Sequence, residues 1–192
     1  MRRVAVIPYQ PRWIDEFERI AERIRAVAGR AVMRIDHIGS TAVPGLGAKD
    51  VIDVQLTVSA LEECDGLTGA LRAVGFRHGS TVEYDVFDGM AETDRELRKL
   101  FMREPDGERR AHLHLREAGR FNQRYALLVR DYLRTSEPAR TGYERVKRQA
   151  AGLFPESIDD YLRLKAPVLH ALYEAASMWA EEVGWLPDKD YR

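Results

Sequence analysis

Cysteine is almost missing from this sequence: Cys64 is the one thiol in 192 residues. A lone thiol makes no internal disulfide and no Cys-based zinc knuckle, and its simplest reading is a buried thiol in a reducing compartment. Long apolar runs are missing too, with no stretch approaching the roughly 18 residues of a membrane span. The opening MRRVAVIPYQPRW meets Pro8 and Pro11 before a signal-like stretch develops, so a cytoplasmic location without a membrane partner is expected. Charge of one sign is not in excess: 30 Lys and Arg against 31 Asp and Glu leave a net charge of −1. That balance removes the bulk electrostatic case for a duplex-DNA partner and leaves only a local basic groove open. Internal repeats and low-complexity tracts are absent, which excludes solenoids and coiled coils. What is present, 45% hydrophobic and 32% charged residues, argues for a folded globule and against disorder. The length suits one domain, or one with an appendage, whose core needs no disulfide or structural metal.

Periodicity supplies the elements. Val4 to Ile7 reads as a short strand ended by Pro8. Trp13, Phe17, Ile20, Ile24 and Val27 mark one face of a helix that Pro11 opens and Gly29 closes. Met33–Ile38 and Val51–Val58 read as strands, Leu61–Val74 as a helix ending at Gly75, and Phe76–Val86, Leu97–Arg103 and Ala111–Arg116 as further strands. The run from Arg95 to Arg110, dense in both signs, reads as a solvated hairpin. After Gly119 the texture is helical: one helix carries Phe121, Tyr125, Leu128, Val129 and Tyr132, a second spans Pro138–Ala150, and a third starts at Ser157 with a kink expected at Pro167. The fold class is therefore α+β, a strand-and-helix core over residues 1–118 with a helical subdomain over 119–192 packed on it as one compact unit.

The informative stretch is His37-Ile38-Gly39-Ser40-Thr41-Ala42-Val43-Pro44-Gly45-Leu46-Gly47-Ala48-Lys49, which leads into a strand carrying Asp53 and Gln55. Glycine lets a backbone approach a polyanion, Ser40 and Thr41 offer donors to phosphate oxygens, and Lys49 adds a point charge. The two-residue period of a strand puts Asp53 and Gln55 on one face, where Asp53 can hold Mg2+ against a phosphate. A turn that uses glycine for backbone reasons alone remains open. The order of a P-loop is not met, because Leu46 stands where lysine is needed.

The run HIGSTAVPGLGAKDVIDV resembles the signature of the GrpB family. The resemblance extends to Pro8-Tyr9 with Trp13 and Phe17, His112-Leu113-His114-Leu115, Arg130-Asp131-Tyr132-Leu133-Arg134, and Tyr143 with Lys147. It implies a core with a mixed sheet, similar to the polymerase-beta-like nucleotidyltransferases, and a family role that is poorly defined. Related domains fused to dephospho-CoA kinase imply an association with that enzyme. The superfamily pattern, a Gly-Ser turn followed by two carboxylates on the next strand and a third acid on a later one, maps onto Gly39-Ser40 and Asp53. The second carboxylate position holds Gln55, and the strand of the third carries His112 and His114.

The site candidates follow from both readings. Asp53 and His37 are the catalytic candidates, with His37 as a general base. Gly39, Ser40, Thr41, Lys49, Arg130 and Arg134 are candidates for a phosphate or nucleotide, the two arginines sharing a helix face from which they can clamp phosphates. Gln55, His112 and His114 line the pocket. His37, His112 and His114, or two histidines with Asp53, are an alternative ligand set for Zn2+ or Mn2+ in place of Mg2+; hydrogen-bonded histidines of a pocket wall are the plainer reading. Glu83 and Asp85 share a strand face and can supply acids, though turn chemistry explains them as well. His78 and His170 carry no supporting pattern. Three functions are expected in competition: a nucleotide-dependent transferase or a descendant that only binds a phosphate ligand, a non-catalytic accessory domain linked to coenzyme A metabolism, and a small His-based metal-dependent hydrolase.

Overall fold

The computed structural model describes residues 3–79 and 83–187. Helix α1 (Arg12–Ala28) buries Trp13, Phe17 and Ile24 of the expected stripe together with Ala21 and Ala28, keeps Ile20 and Val27 half-buried beside them, and stops at Gly29, whose φ of 53° ends the helical turn. Strands β1 (Arg34–Ile38) and β2 (Ile52–Val58) pair antiparallel. Between them lies the glycine-rich segment, held in a short 3-10 turn over Ser40–Ala42. Helix α2 (Asp65–Ala73) and the two-residue strand β3 (Arg77–His78) follow, then β4 (Leu100–Arg103) and β5 (Ala111–Glu117). Three helices finish the chain: α3 (Phe121–Thr135), α4 (Glu137–Leu153) and α5 (Ile158–Val183).

The strands form one mixed sheet in the order β1-β2-β5-β4-β3, with β2 and β5 parallel and the other neighbours antiparallel. Alternation along each strand divides it into two unlike faces. Ile35, Ile52, Val54, Leu56, Met102, Leu113 and Leu115 face α1 and α2 and form the main apolar core with Trp13, Phe17, Leu67 and Leu71. The opposite residues, Asp36, Asp53, Gln55, Thr57, His112, His114 and Arg116, sit side by side through the register Asp36↔Gln55, Asp53↔His112, Gln55↔His114 and Thr57↔Arg116. That polar face meets α3, whose Gln123 carbonyl accepts from Gln55 Nε2 at 3.1 Å. The α+β class, the mixed sheet and the C-terminal helices agree with the sequence reading.

Several elements differ from expectation. Val4–Ile7 is not a strand; it contributes one isolated bridge, Ile7↔Ala48. The expected strand Phe76–Val86 shrinks to Arg77–His78 and a bridge Tyr84↔Arg98, with residues 80–82 outside the described residues. Leu61–Glu63 forms a 3-10 turn before α2 rather than its first turn. The run Arg95–Arg110 is not a solvated hairpin. Leu97 and Met102 are buried and β4 lies inside the sheet, because Leu100 and Met102, two apolar positions spaced among the charges, are enough to seat the strand on the core. Helix α5 runs through Pro167 without interruption and begins where Ser157 Oγ accepts from the Asp160 N–H at 3.2 Å. No helix among the described residues is long and apolar enough to cross a membrane.

Candidate functional site

The site begins at the end of β1. Gly39 has a φ of 71°, and a Cβ there would stand 2.6 Å from Asp53 Oδ2. Glycine is thus required twice, by the backbone and by the carboxylate pressed against it. The turn it opens carries Ser40 half-exposed beside the polar face. Behind Ser40 lies a lysine of α4: Lys147 Nζ donates to Ser40 Oγ at 2.9 Å and also to the Gly47 carbonyl. Its side chain is 1% exposed, and it stacks 4.7 Å above the ring of Tyr143, which also hydrogen-bonds Ser40. Burial, with Lys165, Arg148 and Lys49 close by, pushes the Lys147 amine down to about 7. Lys49 sits over the Tyr161 ring at 5.0 Å, and burial together with Lys165 and Arg110 brings it down to about 8. Lys49, Lys147 and Lys165, from a loop and two helices, thus lie close enough to repel one another, and Lys147 is the one that meets Ser40. Lys49 also lines an open cleft of about 550 Å³ with Arg109, Arg110 and Glu156.

Beside the lysines stands Asp53. Its Oδ1 faces His112 Nδ1 at 3.3 Å and His114 Nε2 at 3.6 Å. Burial alone would raise this carboxyl, but the two imidazoles outweigh it and hold Asp53 well below the ordinary carboxylate range. Burial pushes His114 down, toward the neutral form. Asp53, His112 and His114 present ligand atoms that all lie within 4.8 Å of one another, and all three residues are partly open to solvent.

Gln55, in contrast, is closed. Its Oε1 accepts from Arg116 Nη1 at 2.7 Å, and Arg116 is anchored on Asp85, which also takes a hydrogen bond from Lys99. The position of a second carboxylate is thus filled by an amide with an arginine against it. Asp85 answers that arginine and stays well below the ordinary carboxylate range, since Arg116 and Lys99 overcome the opposing effect of burial. Glu83 is exposed.

Four sequence candidates take other roles. His37 points to the apolar face, stacked on Phe17 with ring centroids 4.6 Å apart, and burial pushes it down to about 3. Its Nε2–H donates to Thr41 Oγ1 at 3.0 Å, and the Thr41 hydroxyl donates to the Val51 carbonyl at 3.2 Å. The sheet separates His37 from His112 and His114, so the three do not share a metal, and this imidazole has no open side from which to act as a base. The same chain of hydrogen bonds commits Thr41 to the loop. Arg130, 2% exposed, donates to the His37 carbonyl at 3.0 Å and to both oxygens of Asp131. Arg134 donates twice to the Ala42 carbonyl, at 3.0 and 2.9 Å. The two arginines hold the turn from behind rather than reaching across it, because Asp131 lies between their guanidinium groups. His170 pairs with Asp88 at 2.7 Å and His78 is exposed on β3.

Tyr143 and Lys147, which the sequence reading took only as part of the family resemblance, and Lys165 are the site residues it did not assign. The available signal was Lys147 at the fourth position after Tyr143 and three before Ala150, a charge inside an apolar stripe.

Comparison with known proteins follows this geometry. A family model described as GrpB protein matches residues 3–175. A dephospho-CoA kinase of Mycolicibacterium paratuberculosis is 34% identical over 96% of this chain and 48% of its own length. The chain spans about half the length of the curated relatives it matches first. The UPF0157 protein SCO7215 of Streptomyces coelicolor is 31% identical over 90% of this chain and 84% of its own. Among solved structures, GrpB from Enterococcus faecalis superposes with a TM-score of 0.74 at 26% identity, covering 91% of this chain and 99% of that one. The Cid1 poly(U) polymerase superposes less closely, with a TM-score of 0.49 at 12% identity over 82% of this chain and 49% of that one.

Proposed function

The chain belongs to the GrpB family, and from that premise we propose that it binds a phosphate-bearing, nucleotide-like ligand at the Ser40 turn. The supporting observation is a serine whose hydroxyl is held by Lys147 and Tyr143, with Lys49 and Lys165 close to that lysine. Like charges gathered in a half-buried place repel one another, and a bound anion relieves that repulsion. Gly39 lets the turn pass close to Asp53, so a ligand phosphate at Ser40 lies next to the acid that the nucleotidyltransferase-like pattern requires.

Two-magnesium transfer does not fit these residues. Magnesium takes oxygen ligands, and a two-metal centre uses carboxylates that bridge both ions. Here one acid remains, the second position holds Gln55 against Arg116, and the later strand offers imidazoles. The protein holds its ligand in this reading, and transfer is not assigned to it. The relatives named dephospho-CoA kinase favour a coenzyme-A-related ligand or partner for the Ser40 turn.

Calorimetric titration with sulfate, ATP, dephospho-CoA and coenzyme A tests the proposal. At least one of the phosphorylated ligands binds saturably and sulfate competes with it. Lys49→Met and Lys147→Met each weaken binding by roughly tenfold, the loss of one charge-assisted hydrogen bond. Unchanged affinity in both variants, or no binding by any of the four, overturns the reading.

A further inference from the structure

We propose that Asp53, His112 and His114 bind one divalent transition cation of the zinc class, through side chains distinct from the lysines of the anion site. Strand register makes the arrangement. Asp53 lies directly opposite His112 across the parallel β2–β5 pair, and His114 follows two residues on, on the same face. A single carboxylate oxygen, Oδ1, is offered to both imidazoles, at 3.3 and 3.6 Å, while Oδ2 is turned toward Gly39. Two donors that each sit about 2.0–2.1 Å from a tetrahedral zinc stand roughly 3.4 Å apart. Both Asp53–imidazole separations lie close to that spacing.

A hydrogen-bonded wall accounts for His112 better than for His114. His114 Nε2 faces the same Asp53 oxygen at 3.6 Å, a long contact for a hydrogen bond, and His114 Nδ1, on the other side of the ring, is buried with no hydrogen-bond partner. A cation seated between Oδ1 and the two imidazoles replaces these long contacts by direct ligation, and Phe101, 5.3 Å from the His114 ring, confines it on the far side. The donor set selects the metal. Two neutral nitrogens and one carboxylate oxygen suit zinc, manganese, iron or cobalt and do not suit magnesium or calcium, which take oxygen. Three protein ligands leave a coordination position open, and side-chain exposures of 29, 23 and 15% for Asp53, His112 and His114 let solvent or a ligand reach it. Lys99 and Arg116 lie near His114 and Lys49 near Asp53, so their positive charge weakens the cation's hold.

The test is zinc titration of the metal-free, untagged full chain in competition with a chromophoric chelator, with cobalt(II) as a spectroscopic probe. One equivalent binds, cobalt gives the intense visible bands of a four- or five-coordinate site, and a large excess of magnesium displaces neither. Asp53→Asn, His112→Gln and His114→Gln each weaken uptake by more than about tenfold. His170→Gln, on a histidine outside the site, leaves uptake unchanged. Absence of stoichiometric uptake, retention of full affinity in the two site-histidine variants, or displacement by magnesium overturns the proposal. Should a variant fail to fold, ring-nitrogen NMR of the wild type decides: zinc shifts the His112 and His114 resonances and spares His37, or the site is not there. Sulfate binding is measured on the same metal-free protein. Zinc uptake without sulfate binding removes the anion reading alone, and sulfate binding without zinc uptake removes the metal site alone.

Discussion

Lys147 sets the character of the site, and it does so by being buried. A lysine pushed down to about 7, with Lys49 at about 8, loses its proton within the range where the protein is handled. The groups that face them are Lys165, Glu144 and Arg148 for the first, and Lys165, Asp53 and Arg110 for the second. Sulfate keeps its double charge throughout, so its affinity reports the protein alone. It falls by more than roughly tenfold between pH 6 and pH 9 as the charge-assisted contacts of both lysines are lost. Lys147→Met removes the step near pH 7 and leaves the Lys49 step near pH 8, and a flat profile in the wild type refutes the role of the buried amines. The anion-free fold shows the reverse trend. Above about pH 7 the unfolded chain holds more protons on these lysines than the folded one, so their contribution to stability grows as pH rises toward the ordinary lysine value. Residues of this kind were only partly legible. Asp53, Ser40 and Gly39 stood out because their types and spacing are unusual, whereas Lys147 entered only through the family resemblance, with no role attached to it. What sets it apart is the Gly47 carbonyl and Ser40 hydroxyl that meet it, and these come from a loop far along the chain.

Helix α3 illustrates how an element can be placed correctly and its side chains assigned wrongly. Spacing alone put Arg130 and Arg134 on one face, and that face does point at the turn. It reaches the turn's carbonyl groups rather than its open side, because an acid one residue after Arg130 captures both guanidinium groups. Removing the buried guanidinium takes its donor from the His37 carbonyl and its ion pairs from Asp131 and the fully buried Asp36. Arg130→Met therefore lowers unfolding free energy by about 3–5 kcal/mol in urea titration, while sulfate affinity of the folded variant stays within a factor of two. A variant of full stability and lost affinity would restore the phosphate clamp. Strand β4 was expected over Leu97–Arg103, but its seat inside the sheet was hidden for a similar reason: Leu100 and Met102 are few among charges, and only the neighbouring β5 shows that they share a face with the core. Pairing partners are long-range facts, and local periodicity does not contain them.

For the whole molecule, the glycine-rich loop ties the sheet to the helices. Val43 and Leu46 of that loop pack with Val129 and Leu133 of α3, Tyr143 of α4 and Leu172 of α5. Val4, near the start of the chain, packs with Ala150, Ala151 and Tyr161, and its N–H donates to the Pro155 carbonyl at 2.7 Å. A boundary at residue 118, natural by texture, would cut through both clusters. Thermal unfolding is accordingly a single transition, with far-ultraviolet circular dichroism, a helix signal, coinciding with fluorescence from Trp13, buried against the sheet, in a variant whose Trp179 and Trp185 are replaced by phenylalanine. Two separated transitions would show that the strand and helix regions are independent. The parallel pairing of β2 with β5 has a further consequence, in time rather than in energy. Asp53 and His112 are neighbours only across that pair, and the chain between them must fold back before they meet. Contacts so distant in sequence close slowly. The β1–β2 pair, with its short connection, is free to form early, so in a refolding chain Gly39 and Asp53 come together first and the imidazoles arrive last. The nascent chain is thus unable to assemble the Asp53–His112–His114 cluster until β5 has emerged and docked.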